Sequence, residues 1–259
     1  MMDQLLQAYD DQLREGAEVG GATAVVRIGP LWLAQFPGER GFITYRSLPD
    51  DAQEIAGLAD AALKHFRERT GATAVEWKTR AHDAAPGLEA VLTGHGFVAD
   101  GPESIMIGRV EGLAADVALP HGIEVRRAAT VDDVWAASEM QGLVFDDPHW
   151  RSRAEDAVRK LEEKSAASLW IAVADGAVVS AGRLEPVDGT DFAGIWGGAT
   201  LPEWRHRGIY RVLTARRAEE ALRLGKTLIH SDSTGFSRPI LERSGLVAVS
   251  TTTPFVWTR

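Results

Sequence analysis

Residues 202–217 read PEWRHRGIYRVLTARR, running from Pro202 to Arg217 as a loop that opens into a helix. Between Glu203 and Arg217 stand five arginines (Arg205, Arg207, Arg211, Arg216 and Arg217) against one acid, in a chain whose 28 basic and 37 acidic residues leave a formal charge of −9. The local sign opposes the global one. A helix start exposes main-chain N–H groups without partners and the positive end of the dipole, and Gly208, lacking a Cβ, lets a ligand approach that backbone closely. Together these features describe a seat for phosphate. Arginines on an exposed helix also simply solvate its outer face, so the charge count alone leaves both uses open.

Working outward, Gly194 to Leu201 reads as a strand leading into the loop. Ile209 to Leu224 is the helix, Thr227 to His230 a strand, Arg238 to Ser244 a short helix and Val247 to Trp257 the last strand. On the amino-terminal side, Ile123 to Arg127 reads as a strand, followed by helices Val131 to Val144 and Arg153 to Glu163. Asp175-Gly176 between Leu169 to Ala174 and Ala177 to Leu184 predicts a hairpin, because both central positions of a type I′ turn require positive φ. Gly112 and Pro120 interrupt the stretch Glu111 to His121, which predicts a linker. Before it come a helix (Asp3 to Glu15), strand candidates Ala22 to Ile28, Leu31 to Phe36 and Phe42 to Leu48, then helix Ile55 to Arg69, strand Ala72 to Lys78, helix Gly87 to His95 and strand Ile105 to Val110. The expected class is α/β, with a domain at 1–110, a linker at 111–121 and a domain at 122–259.

The two halves resemble each other. Leu48-Pro49, Gly71 and Gly96-Phe97 recur as Leu201-Pro202, Gly225 and Gly245-Leu246, at separations of 153, 154 and 149 residues. A tandem duplication is the expectation. The copies differ where chemistry is expected: after Leu48-Pro49 the loop reads Asp50-Asp51-Ala52-Gln53-Glu54-Ile55, three acids with no Arg or Gly. That loop repels pyrophosphate.

Arg205-His206-Arg207-Gly208-Ile209-Tyr210, after a strand and opening a helix, resembles the acetyl-CoA pyrophosphate loop of the GCN5-related N-acetyltransferase (GNAT) superfamily, in which Gln or Arg, two residues, Gly, one residue and a small residue follow in order. Arg205 and Gly208 fit, and Tyr210 departs from the small residue. Ser237 to Leu246 is similar to the superfamily's second signature, a short helix ending in Gly and an apolar residue. The resemblance implies two tandem GNAT-like domains, each a mixed, mostly antiparallel sheet flanked by helices, the first degenerate. It further implies acetyl-CoA as co-substrate, its pantetheine arm on strand-edge groups near Ala199, Thr200 and Leu201. The pyrophosphate falls to the amides of Arg205, His206, Arg207, Gly208, Ile209 and Tyr210. The hydroxyls of Thr234 and Ser237 serve either the cofactor or the cap of the following helix.

The implied reaction is direct attack of a primary amine, of a small molecule or a peptide, on the thioester in a ternary complex. A tyrosine often found four residues before the second signature's Gly, which can protonate the departing thiolate, is replaced by Leu241; Tyr210, nearby in the motif, carries the same group, and packing or a single surface hydrogen bond is its other use at a helix start. The candidate proton acceptors are Glu139 and Asp146 on or after the first helix of that half, Glu185 at the hairpin end, and His230 or Asp232 at the end of the strand beside the cofactor. Each also reads as a solvated or salt-bridged group; His230 has the side chain that ordinarily titrates near neutrality, and deprotonation through water needs none of them. The rival reading is a non-catalytic CoA-binding or interaction module. Absence of cysteine excludes thiol nucleophiles, redox pairs and thiolate zinc sites, and no metal-ligand spacing is present. The acidic balance argues against nucleic acid, and no apolar run of about 18 residues spans a membrane. The amino terminus lacks a basic, apolar leader, so a cytoplasmic protein is expected. Oligomeric state is not encoded in these features.

Overall fold

The computed structural model describes residues 2–114 and 117–259, so residues 115 and 116 of the expected linker lie outside the described residues. The elements are α1 (Met2–Gln12), β1 (Ala24–Ile28), β2 (Leu31–Phe36), β3 (Arg40–Thr44), α2 (Ala52–Arg69), β4 (Ala74–Arg80), α3 (Leu88–Gly94), β5 (Val98–Ala99), β6 (Glu103–Arg109) and α4 (Val110–Leu113), then β7 (Ile123–Arg127), α5 (Val131–Phe145), α6 (Trp150–Glu162), β8 (Ser168–Ala174), β9 (Ala177–Pro186), β10 (Phe192–Thr200), α7 (Ile209–Arg223), β11 (Leu228–Ser233), α8 (Arg238–Arg243) and β12 (Val247–Thr258). The expected hairpin is present, with Asp175 at φ 49° and Gly176 at φ 81°. Two short elements were not anticipated. One is β5; the other is α4, which buries Val110, where the sequence pattern reads as a strand end, and Leu113, where it reads as linker.

Two compact units result. The first gathers the described residues through Met106 with Asp232–Pro239 and Ala248–Arg259; the second gathers Ile107–Ser231 with Ile240–Val247. The last strand therefore counts with the first unit, whereas the sequence pattern groups it with the second. Its partner is β4, in antiparallel register from Thr252↔Arg80 to Thr258↔Ala74.

In the first unit the strands run β1-β2-β3-β4-β12, followed by the start of β6, with β5 on β12. The pair β3/β4 is parallel, joined through α2. Helix α2 buries Ile55, Ala59, Ala62, Leu63 and Phe66, a stripe at three- and four-residue spacing, against Leu33, Ile43, Val75, Trp77, Phe97, Phe255 and Trp257. Strand β3 stops at Thr44, short of the Leu48 that apolar content suggests. Beyond it the carbonyls of Tyr45 and Arg46 accept from the Arg14 guanidinium (2.9 and 3.1 Å) instead of continuing a ladder.

The second unit repeats the plan as β11-β10-β9-β8-β7, with a parallel pair β10/β11 joined through α7 and antiparallel pairs elsewhere. Neighbouring residues of β8 face different clusters: Ile171 packs with Val134, Ala137 and Met140 of α5, and Ala172 with Ile209 of α7. Helices thus cover both faces.

Candidate active site

Strands β10 and β11 stay paired for three residues, Phe192↔Leu228, Ala193↔Ile229 and Gly194↔His230. Beyond Gly194 they part, and the Ser231 hydroxyl closes the junction by donating to the Ile195 carbonyl at 2.9 Å. Strand β10 then bulges: its register with β9 shifts between Trp196 and Ala199, at Gly197-Gly198. Gly197 takes φ 58°, its carbonyl accepts from Gln141 Nε2 at 2.5 Å, and a Cβ there would lie 3.2 Å from Arg183 Nη1. At Gly198 a Cβ would meet the Tyr210 ring, at 2.5 Å from Cε2. A Gly-Gly pair inside a strand signals a bulge, and it is the cue by which sequence reasoning could have found this opening.

Downstream, a tight turn over Pro202–Trp204 is held by Trp204 N–H donating to Leu201 O at 2.9 Å. Arg205 Nε donates to Thr200 O at 3.0 Å, and the Arg207 guanidinium lies over the Trp204 ring, 4.6 Å from its centroid. His206 (φ 62°) and Gly208 (φ 79°) both take left-handed conformations, so the backbone turns its amides outward before α7 begins. Among the described residues nothing accepts from the amides of His206, Arg207, Gly208 or Ile209, and the space a Cβ of Gly208 would occupy is open. The corresponding helix of the first unit is closed: the Asp51 carboxylate accepts from the amides of Gln53 and Glu54, both at 2.9 Å. A self-supplied carboxylate sits at one helix start, and an open cradle of N–H groups at the other.

The arginine cluster is smaller than its sequence count. Arg205, Arg207 and Arg211 are exposed around the helix start, whereas Arg216 is paired with Glu219 at 2.8 Å and Arg217 is 1% exposed. Arg217 belongs to the core because it falls four and eight residues after Leu213 and Ile209, on the buried stripe of α7. Other expectations need similar adjustment. The Leu201 amide donates to Val179 O at 3.0 Å, and the Ala199 carbonyl accepts from Ser180 Oγ at 2.6 Å, so these groups are committed to the sheet. The open edge lies nearer Gly197-Gly198. Thr234 and Ser237 fall in the stretch that counts with the first unit, and Ser237 Oγ bonds Thr234 O at 3.4 Å, a local cap before α8. Leu241 is fully buried, as a core position would be.

His230 and Glu185 flank the same residue, Gly194, on its two neighbouring strands. The His230 ring stands edge-on to Phe192 and Trp196, with centroids 5.7 and 5.2 Å away. Glu185 Oε1 lies 3.5 Å from Lys160 Nζ and 3.4 Å from Arg183 Nε, so its charge is shared by two cations. Glu185, Lys160 and Arg183 edge a shallow cleft of about 40 Å³ lined also by Val134, Ala157, Leu161 and Leu169.

In the first unit the matching strands also part, after Ile43↔Trp77. There the chain's own charges fill the gap. Glu18 bonds Arg80 and Thr44, and Lys78 reaches Glu18 at 3.4 Å and Asp232 at 2.7 Å. Burial opposes ionisation of Glu18, yet the adjacent Arg80 and Lys78 charges outweigh it and hold the carboxyl below its usual range. Among the described residues no group of three or more His, Asp or Glu is arranged to hold a metal ion, and no helix is long and apolar enough to cross a membrane.

Comparison with known proteins agrees with this fold. Residues 115–231 match the family model described as an acetyltransferase (GNAT) domain. No curated protein matches the chain. Among solved structures, a GCN5-related N-acetyltransferase from Kribbella flavida superposes with a TM-score of 0.69 at 18% identity, covering 98% of this chain and 93% of its own. A GCN5-related N-acetyltransferase from Sphaerobacter thermophilus gives 0.65 at 16%, covering 99% and 85%. A tandem GNAT protein from the clavulanic acid biosynthesis pathway gives 0.63 at 15%, covering 99% and 95%. Residues 115–231 thus carry the match to an acetyltransferase (GNAT) domain, and the whole chain has the mixed, largely antiparallel fold of the GNAT structures on which it superposes.

Proposed function

We propose that this chain is an acetyl-CoA-dependent N-acetyltransferase whose second unit holds the acetyl donor and whose first unit is a degenerate copy. The observation that carries the reading is the open cradle at the start of α7: amides of His206 to Ile209 without acceptors, left-handed Gly208 with free space before it, and Arg205, Arg207 and Arg211 around it. A diphosphate fits that donor set. The pantetheine arm then runs to where β10 leaves β11, and the thioester carbonyl faces main-chain N–H groups of the Gly197-Gly198 bulge. A primary amine, of a small molecule or a peptide, enters from the cleft edged by Glu185. The ammonium proton formed on attack passes to His230, with Glu185 as the second acceptor at the same level of the sheet. Such a reaction needs alignment more than side-chain chemistry.

A second reading, a non-catalytic CoA-binding module, is favoured by Leu241, which puts core material where superfamily members often have a phenol. Calorimetry with CoA and thiol release from acetyl-CoA over a panel of primary amines separate the two. The acetyltransferase reading expects binding and amine-dependent thiol release, with His230→Gln losing turnover but keeping CoA affinity. Binding without release selects the module. Gly208→Asp places a carboxylate and a Cβ in the cradle, and CoA affinity should fall by at least about tenfold in a variant that still folds, its thermal midpoint lowered by the strain of a side chain at φ 79°. Unchanged affinity in the folded variant would place the nucleotide elsewhere.

A further inference from the structure

Gln141 is a half-buried amide on α5, beside a part of the helix that is otherwise apolar. Ala137 and Met140 are buried with Val134 in the cluster that also holds Ile171 of β8, Ala181 of β9 and Ala199 of β10. Placing an amide beside such a cluster costs free energy unless its polar atoms find partners, so the destination of its hydrogen bond is informative. Gln141 Nε2 donates to the Gly197 carbonyl at 2.5 Å, from α5 to the bulge of β10. A Cβ on Gly197 would stand 3.2 Å from that same Nε2 and 3.2 Å from Arg183 Nη1, so a glycine is what lets both side chains come so near. A reciprocal cap between Thr130 and Asp133 fixes the first turn of α5. Gly142, next to Gln141, admits the Trp150 indole of α6, because a Cβ there would lie 2.6 Å from Trp150 Cγ. The helix is thus held on either side of the amide it presents.

What that bond controls is a peptide plane. Gly197 takes φ 58°, and the register with β9 skips both Gly197 and Gly198. Glycines released from a ladder turn their peptide planes at little cost, so β10 does not by itself choose the orientation. The bond from Gln141 does. Within one planar trans peptide the carbonyl and the N–H point in opposite directions, so a Gly197 carbonyl drawn toward Gln141 turns the Gly198 N–H away from it. A donor aimed in advance is worth most where charge develops, since nothing has to reorient during the reaction.

We propose that Gln141 is a positioning residue: its hydrogen bond to Gly197 sets the peptide whose other end, the Gly198 N–H, donates to the acetyl carbonyl oxygen. The inference rests on the acetyltransferase reading above. In the step, the amine nitrogen forms a bond to the acetyl carbon and the carbonyl electron pair moves onto oxygen, where the Gly198 N–H meets the charge. That pair then re-forms the double bond as the carbon–sulfur bond breaks. The ammonium proton leaves through His230 to solvent and the thiolate takes one from solvent, so acetyl-CoA plus amine gives amide plus CoA thiol. Gln141 touches none of the reacting atoms.

The test uses the full chain and two kinds of readout. One is kcat and KM from thiol release, with CoA affinity from calorimetry. The other is the infrared stretch of an isotope-labelled carbonyl in an acetyl-CoA analogue whose thioester sulfur is replaced by a methylene, which binds without being cleaved. In the wild type that stretch should move to lower frequency on binding. Gln141→Met, which keeps the volume and loses the donor, should lose most of that displacement. Its kcat should fall by at least about tenfold with CoA affinity within about threefold, since a lost oxyanion donor costs about 100-fold or more and a misaimed one a part of that. Gln141→Lys, which restores a donor on a stem of similar reach, should recover part of both, and Gln141→Glu carries the comparison at neutral pH if Gln141→Met does not fold. A carbonyl frequency in the donor-less variant equal to that of the wild type would overturn the positioning role, as would equal losses in Gln141→Met and Gln141→Lys. A wild-type chain that shifts the carbonyl but releases no thiol with any amine would instead bring down the acetyltransferase reading, and the two failures are distinct because the infrared measurement needs no acceptor.

Discussion

Single residues in this chain are specified by what they must satisfy. Asp133, at the third position of α5, accepts both Arg126 Nη atoms at 2.7 Å and the amides of Ala129 (2.9 Å) and Thr130 (3.3 Å), while Thr130 Oγ1 accepts from the Asp133 amide at 3.1 Å. The Arg126 hydrogen bonds, followed by the two amides, hold its carboxyl well below the usual carboxylate range against a smaller opposing effect of burial. A carboxyl with a depressed folded-state pKa adds stability above its unfolded pKa and loses it as pH falls through the folded one. Asp133→Ala should therefore cost about 1 kcal/mol at pH 7, the typical worth of a helix cap. The gap in thermal midpoint from wild type should narrow progressively below about pH 4, where the unfolded carboxyl begins to protonate. A gap that stays constant from pH 7 to pH 2 would show that charge plays no part.

At the scale of elements, the two strand–helix–strand repeats show how one plan is put to different use. Helix α2 starts on Asp51 and α7 on Gly208. Asp51→Ala should lower stability by about 1 kcal/mol, read as a shift in the denaturant midpoint, with CoA affinity unchanged because the nucleotide seat proposed above lies at the start of α7. A fall in CoA affinity comparable to that of Gly208→Asp would contradict the division of roles. Most of these elements are legible from the sequence, because apolar periodicity marks α2 and α7 and positive-φ demands mark the hairpin at Asp175-Gly176. The loop from Arg205 to Tyr210 is legible for a similar reason, since charge and glycine coincide at a helix start. What periodicity does not carry is the bulge at Gly197-Gly198, which changes the register of one strand pair, and the burial of Arg217, whose charge type argues for the surface while its spacing from Ile209 and Leu213 places it inside. The commitment of the Leu201 amide to Val179 depends on which strand edge faces β9, a long-range fact that local pattern does not encode.

At the scale of the whole molecule, chain order and structural unit do not coincide. The carboxy-terminal strand β12 pairs with β4 over seven residues and delivers Phe255 and Trp257 to the core that holds Ile55, Phe66 and Trp77. Trp257 also carries the Arg67 guanidinium over its ring, 5.0 Å from the centroid. Strand β12 thus completes a unit whose first strands lie more than two hundred positions earlier in the sequence, a pairing whose loop-closure entropy must be met before any contact rewards it. Deletion of residues 248–259 should accordingly unfold the first unit rather than trim its end: amides of β4 should lose protection from hydrogen exchange while those of the β8/β9 hairpin in the second unit keep theirs. Trp257→Ala, which leaves the backbone pairing in place, should cost about 3–5 kcal/mol, the range for emptying a buried tryptophan site. If β4 stays protected in the truncated chain, the first unit is complete without its last strand, and the boundary expected at residue 110 describes the molecule better than the interleaved one.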